Sequence, residues 1–235
     1  KRRHETNCGA ILAVPLFHRD EAIGTITVIN RLDQENFSQR HVELMETIAS
    51  QAAIAIENAR LFGENQWLAT TDELTGINNR RHLFKLGHLE IERARRYGHS
   101  LSAIMLDIDN FKRINDTHGH GIGDKVLRSI AQGCLQSIRE FDVLGRYGGE
   151  EFVVILPETE LKEAIATAER LRICIAEQSS NSHSDDISLT ISLGVAVLDD
   201  SMEALASLLD AADSALLLAK KSGRNRVEVA DNRQS

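Results

Sequence analysis

The sequence predicts an α/β (α+β) protein, in which a central mixed sheet flanked by helices follows a small strand piece and a long helix. Three observations predict it. Helical and strand-like segments alternate from about residue 80 onward. One hairpin signal, Gly148-Gly149 between two short apolar runs, breaks that alternation in the middle. The 235 residues are 42% apolar but only 4% aromatic, so a sizeable core must be built from Leu, Ile, Val and Ala.

The elements follow in order. Ala10–Phe17 is an apolar run, His18–Glu21 a polar turn, and Ile23–Asn30 alternates with β-branched residues; together they predict a hairpin. Ser38 is an N-cap for a helix running to about Thr70. Val42, Met45, Ala49, Ala52, Ile56 and Ala59 alternate spacings of three and four, a heptad seam that continues through Gly63 and Gln66. About 33 residues is long for a globular helix, so this seam is expected to pair with a second chain. Trp67 is expected to anchor packing near the helix junction.

Beyond it, Arg80–Tyr97 reads as a helix whose basic end suits the macrodipole. Leu101–Leu106 is a buried strand ending in acids, and His120–Ile138 a helix. Val143–Tyr147 and Phe152–Leu156 are short strands around the double glycine. Glu160–Glu177 is a helix, Gln178–Asp186 a polar loop, and Leu189–Val197 a strand. Met202–Lys221 is a helix stopped by Gly223, and Arg226–Val229 a last strand.

Composition excludes several functions. Lys+Arg minus Asp+Glu is 27 − 35 = −8, so neither nucleic acid nor an anionic membrane is an expected partner. Cys8, Cys134 and Cys174 are odd in number and far apart, which speaks against a disulfide framework or structural zinc and for the reducing cytoplasm. No apolar run reaches ten residues, too short to cross a bilayer; an anchor outside this chain stays open.

Three segments carry chemistry. In Leu106-Asp-Ile-Asp-Asn-Phe111, strand alternation puts Asp107 and Asp109 on one face, and two carboxylates at a strand end suit Mg²⁺. In Arg146-Tyr-Gly-Gly-Glu-Glu-Phe152, the glycines permit a tight turn and close ligand approach, and Glu150 and Glu151 crowd like charges at its tip. In Ala219-Lys-Lys-Ser-Gly-Arg-Asn225, Lys220 and Arg224 combine a point charge with a forked guanidinium, a pairing suited to phosphate.

Together these segments resemble the GGDEF family, the diguanylate cyclases, from about Thr71 to Val229. Asp72-Glu-Leu-Thr-Gly-Ile-Asn-Asn-Arg-Arg81, Ser192-Leu-Gly-Val195 and Ala212-Asp-Ser-Ala215 extend the resemblance. Glu150 stands where the motif usually has Asp, and Leu217 where it usually has Tyr, a change expected to alter packing. Residues 9–62 resemble the C-terminal half of a GAF domain, through Ala13-Val-Pro-Leu16, Ile23–Asn30 and Gln51–Arg60. The expected organisation is therefore a GAF-like fragment over 1–37, a signalling and dimerisation helix over 38–70, and a GGDEF domain over 71–235.

The resemblance implies a fold close to the polymerase palm and to class III nucleotide cyclases. It also implies condensation of two GTP into cyclic di-GMP and two pyrophosphates by a homodimer holding one GTP per subunit. Asp107 and Glu150, with the Ile108 carbonyl, would hold Mg²⁺, or Mn²⁺ in its place. Glu151 would lie near the metal, the phosphates or the attacking hydroxyl. Backbone amides near Asn110 and Phe111, with Lys220 and Arg224, would bind the triphosphate, and Asn115 and Asp124 would read guanine. Arg139 and Asp142, an R-x-x-D set ahead of Gly148, would bind the product as inhibitor with Arg170. His118 and His120 form an H-x-H pair, a weak metal signal, and His120 is taken as a local hydrogen-bonding or capping residue. The alternative is a catalytically silent receptor for GTP or cyclic di-GMP.

Overall fold

The computed structural model describes residues 9–30, 36–181 and 189–231. The chain divides into two compact units, one through Trp67 and one from Leu68.

In the first unit, β1 (Ile11–His18) pairs antiparallel with β2 (Glu21–Ile29), through a turn at Arg19 and Asp20. The helix α1 (Gln39–Thr70) begins in this unit. The expected seam is half realised. Met45, Ala49 and Ala52 do lie on one face, but with Ala53 they pack against Val14 and Leu16 of the hairpin. Ile56 is exposed instead. A second stripe runs along the opposite side: Leu44, Thr47, Gln51, Ile54, Asn58 and Leu61 alternate spacings of three and four and are all exposed. The periodicity was legible, but two such stripes coexist on one helix, and the hairpin takes the small-residue one because Ala permits close approach. Trp67 is 47% exposed.

The second unit is built on a five-stranded sheet of order β4-β5-β3-β6-β7. Its elements are α2 (Arg80–Tyr97), β3 (Leu101–Ile108), α3 (Phe111–His118), α4 (His120–Ser137), β4 (Val143–Arg146), β5 (Glu151–Pro157), α5 (Leu161–Asn181), β6 (Ile191–Val197), α6 (Leu205–Lys221) and β7 (Val227–Val229). β3 is central and buried at every position, because helices cover both faces of the sheet. Its Ile104, Leu106 and Ile108 join the core under α3, α4 and α5. Its Leu101, Ala103 and Met105 join the core under α2 and α6. Each fully buried Leu or Ile there contributes about 1.5–3 kcal/mol. Alternation then carries Asp107 to the α2/α6 side, which decides what it can meet.

α6 lies unusually close to the sheet. A Cβ on Gly194 of β6 would fall 2.1 Å from the Ala212 carbonyl oxygen and 2.2 Å from the Leu216 nitrogen. Only glycine permits that spacing. β7 pairs with β6 in parallel; the other neighbours in this sheet are antiparallel. The separate helix α3 was not expected from the sequence: eight residues are too few for a clear period, and Asn110 opens it in a left-handed conformation, φ 57°. The expected loop over 178–186 is helical to Asn181, and its remainder lies outside the described residues, as does Cys8. Leu217 is half exposed, so the change from the family's Tyr touches no core.

Candidate active site

Asp107 lies one residue before the end of the central strand, 4% exposed, and faces α6. Its Oδ2 accepts an ion pair from Lys220 Nζ at 2.8 Å. Burial raises the Asp107 pKa above the usual Asp range, Lys220 opposes the rise, and the charges of Glu151 and Asp109 add to it. Glu151 is the direct cross-strand partner of Asp107. Glu150 precedes it, and its pKa is raised too, by burial first and then by the Asp107 charge. The sequence-expected acids therefore do converge, and a cation already sits among them. Among the described residues no group of three or more His, Cys, Asp or Glu converges to hold a metal unaided. A divalent ion would need ligands beyond carboxylates, and Mg²⁺ commonly completes its shell with substrate phosphate and water. Two acids with raised pKa around an ammonium fit such an ion.

The double glycine does what its composition suggests. Tyr147 and Gly148 N–H groups both reach the Glu151 carbonyl, closing the hairpin. A Cβ on Gly148 would meet Glu151 Oε2 at 2.4 Å, so glycine there makes room for that carboxylate.

Beside the hairpin lies a cavity of about 500 Å³, lined by Phe111, Asn115, His120, Asp124, Arg146 and Glu150 among others. The turn at Gly119, φ 84°, folds α4 back against α3 and brings Asn115 and Asp124 to one wall. A Cβ on Gly123 would fall 1.9 Å from Asn115 Oδ1, so that amide rests directly on the α4 backbone. Two polar side chains from two helices thus face one opening. His120, expected as a cap, lines the same cavity.

Lys220 lies in the last turn of α6, and Arg224 stands just beyond the helix. Lys220 is held at Asp107, while Arg224 is exposed, with φ 63°. Asp109 is not the second half of a two-aspartate metal seat: it is engaged by Ser192, Thr190 and the Asn225 N–H.

The R-x-x-D residues form a separate cluster. Asp142 Oδ2 accepts the Arg139 backbone N–H at 2.8 Å, and Oδ1 is buried with no hydrogen-bond partner among the described residues. Burial raises the Asp142 pKa, against the Arg139 hydrogen bond and the charges of Arg139 and Arg170. Arg170 Nε donates to the Ser137 carbonyl at 2.9 Å. All three residues are therefore brought together.

A family model described as "Diguanylate cyclase, GGDEF domain" matches residues 69–226. The chain belongs to the GGDEF family. A GAF domain model matches residues 1–57. Diguanylate cyclase A of Treponema denticola is 38% identical over 223 residues, covering 93% of this chain and 59% of that protein. Response regulator PleD of Caulobacter vibrioides is 44% identical over 164 residues, covering 68% of this chain and 36% of PleD. The chain thus spans well under two thirds of either relative. Among solved structures, the coiled coil and GGDEF domain of DgcB from Caulobacter crescentus, in complex with c-di-GMP, aligns with a TM-score of 0.71 at 31% identity, covering 80% of this chain and all of that one. The active GGEEF domain of a Vibrio cholerae diguanylate cyclase aligns with a TM-score of 0.62 at 37% identity, covering 67% and 98%.

In this GGDEF domain, sequence reasoning missed Arg146 and Asp72 as site residues. Arg146 Nη2 donates to the Gly149 carbonyl at 2.7 Å, while Nη1 meets both Asp72 carboxylate oxygens at 3.1 and 3.2 Å. Asp72 also takes both Thr75 donors, closing the turn ahead of α2. One guanidinium thus ties that turn to the hairpin that carries Glu150. The signal was available: a cation two residues before a Gly-Gly turn is on the strand face that continues to the tip.

Proposed function

We propose that the chain is a diguanylate cyclase: it joins two GTP into cyclic di-GMP, releasing two pyrophosphates. The observation that carries this reading is the pairing of Asp107 with Lys220 at the end of the central strand, with Glu151 opposite Asp107 across the strands and Glu150 next to it, beside a cavity with Asn115 and Asp124 on its wall.

Each bond-forming step attaches a 3′ oxygen to an α-phosphorus, breaks the bond from that phosphorus to pyrophosphate, and frees the hydroxyl proton. Asp107, Glu150 and the Ile108 carbonyl would hold Mg²⁺ or Mn²⁺. The bound ion would acidify the hydroxyl and neutralise phosphate charge. Glu151, beside Asp107 across the strands, is near enough to the acids to act on the metal shell or the hydroxyl proton. Lys220 moves from Asp107 to the phosphates, and with Arg224 stabilises the departing pyrophosphate. N–H groups near Asn110 and Phe111 cradle the triphosphate; the left-handed turn at Asn110 frees the first amides of α3 for this. Asn115 and Asp124 read guanine: its N1–H and N2–H face a carboxylate acceptor, whereas adenine would leave Asp124 unpaired.

One site binds one GTP, so two subunits must face each other about a two-fold axis. The outer stripe of α1, Leu44 through Leu61, supplies a heptad surface for that homodimer. Residues 1–37, 38–70 and 71–235 would act as sensor fragment, dimer helix and catalytic domain. Product would bind Arg139, Asp142 and Arg170, where the unpaired Asp142 oxygen invites guanine donors. GTP supply places the reaction in the cytoplasm.

The test is incubation with GTP and Mg²⁺, chromatography of the products, and Glu150→Ala beside the parent. Cyclic di-GMP from the parent alone supports the cyclase. No product from either, with cyclic di-GMP still bound, supports the silent receptor.

A further inference from the structure

Asp109 stands two residues beyond Asp107, yet the two carboxylates serve different neighbours. Asp109 is 6% exposed and takes hydrogen bonds from three donors on two segments. Oδ1 accepts from Ser192 Oγ at 2.6 Å; Oδ2 accepts from Thr190 Oγ1 at 2.7 Å and from the Asn225 N–H at 3.0 Å. Its own N–H donates to the Thr190 carbonyl at 2.9 Å. A carboxylate filled in this way is a tether between the end of β3, the start of β6 and the turn after α6.

That turn is strained. Gly223, Arg224 and Asn225 have φ of 118°, 63° and 46° in succession. The left-handed region disfavours residues with a Cβ, and two in a row persist only where the surroundings hold them. Two backbone bonds do so. The Arg224 N–H closes on the Ala219 carbonyl at 3.0 Å, and the Asn225 N–H closes on Asp109. Asn225 Oδ1 also accepts from Arg172 Nη1 at 3.0 Å. The exposed side chain of Arg224 leaves from the middle of this braced turn.

We propose that Asp109 is a positioning residue: through the Asn225 N–H it fixes the left-handed turn that aims Arg224 at the polyphosphate tail of the nucleotide. This rests on the reading that Arg224 binds that tail. A guanidinium recognises phosphate through a directional fork, so a turn free to relax to negative φ would carry the fork away from its target. The nucleobase contacts, made by Asn115 and Asp124 on other helices, would be untouched.

The experiment is calorimetric binding of 3′-deoxy-GTP and 3′-deoxy-GMP in the presence of Mg²⁺. Neither has the attacking hydroxyl, so binding is read without turnover, and the ratio of the two affinities isolates the tail. Arg224→Ala should weaken the triphosphate about tenfold or more and leave the monophosphate within twofold. Asp109→Ala should give the same selective loss, and the double variant no more than Arg224→Ala alone. Asp109→Asn should restore the parent ratio, since its amide oxygen can still accept from Asn225 while its NH₂ donates to Ser192. Asn225→Gly, which keeps the N–H, should do likewise. Should Asp109→Ala fold poorly by circular dichroism, Asp109→Ser, too short to reach Asn225, reads the same loss. Equal weakening of both nucleotides, losses that add in the double variant, or a parent-like Asp109→Ala overturn the proposal. If Arg224→Ala itself spares the triphosphate, the assignment of Arg224 falls and the role of Asp109 falls with it.

Discussion

Asp107, which is buried, and Asp142, which is half-buried, are two aspartates in one unit, each with its pKa raised by desolvation and each near basic side chains. They differ in how that burial is offset. Asp107 already grips an ammonium at 2.8 Å, whereas Asp142 keeps one oxygen with no hydrogen-bond partner among the described residues. Under the proposed function, the first is therefore a seat whose occupant must move before a metal and nucleotide enter. The second is an open acceptor whose cost is recovered only when donors arrive. Exchange suits a reaction that must cycle; an open acceptor suits a ligand that comes and stays.

The largest way to break this comparison is Asp107→Asn. Turnover should fall on the order of 10³-fold, because the metal loses an anionic ligand. Yet the metal-free protein should melt about 2–4 °C higher, since a desolvated charge among other acids is gone. A lower melting temperature would mean that the Lys220 pair outweighs that cost. Next comes Arg139→Ala, expected to raise the concentration of cyclic di-GMP needed for half inhibition by about 10- to 100-fold, with initial rates within twofold of the parent. Unchanged inhibition would remove the open acceptor from regulation.

A smaller effect belongs to α1. Ile54→Glu should cut activity about tenfold at low protein concentration and little at high concentration, as read by dilution series and sedimentation. Ala49→Glu would instead damage the hairpin packing, because Ala49 is buried against β1.

The smallest effect is on pH. Asp107 and Glu150 have raised pKa values, so these two acids bind more protons in the native metal-free protein than in the unfolded chain. Their contribution to stability should be present below the unfolded carboxylate range and be lost as pH climbs through the raised values. Protons compete with the metal for these acids, so the acid limb of the rate profile should move down by under about one pH unit when Mg²⁺ is increased tenfold. Rate profiles at two Mg²⁺ concentrations check this; a limb that does not move would mean that neither acid holds the metal.

Much of the site was readable in the sequence because its motifs sit at strand ends and turns, where residue type and backbone demand coincide. Alternation and a Gly-Gly turn singled out Asp107 with Asp109 and Glu150 with Glu151, and the family resemblance chose Asp107 and Glu150 among them. The bonds of Asp109 did not follow, because its donors Ser192, Thr190 and Asn225 lie more than 80 positions away, and pairing over that distance is set by topology. The pairing of Arg146 with Asp72 was hidden for the same reason. On α1, periodicity found a seam but could not say which of two faces the hairpin would occupy. Burial chose the face with Ala49 and Ala53.

Gly194 sets how closely α6 approaches the strand end that carries Asp107. With hydrogen in place of a methyl, β6 and α6 touch backbone to backbone. Lys220 lies eight residues along α6 from Ala212, so any lift of the helix is passed to the ammonium at its end. Gly194 thus serves as a shim of zero thickness, and it sets the height of the Lys220 ammonium above the strand end. A family member with alanine at this position would need a thinner helix surface or a longer cation to span the same gap.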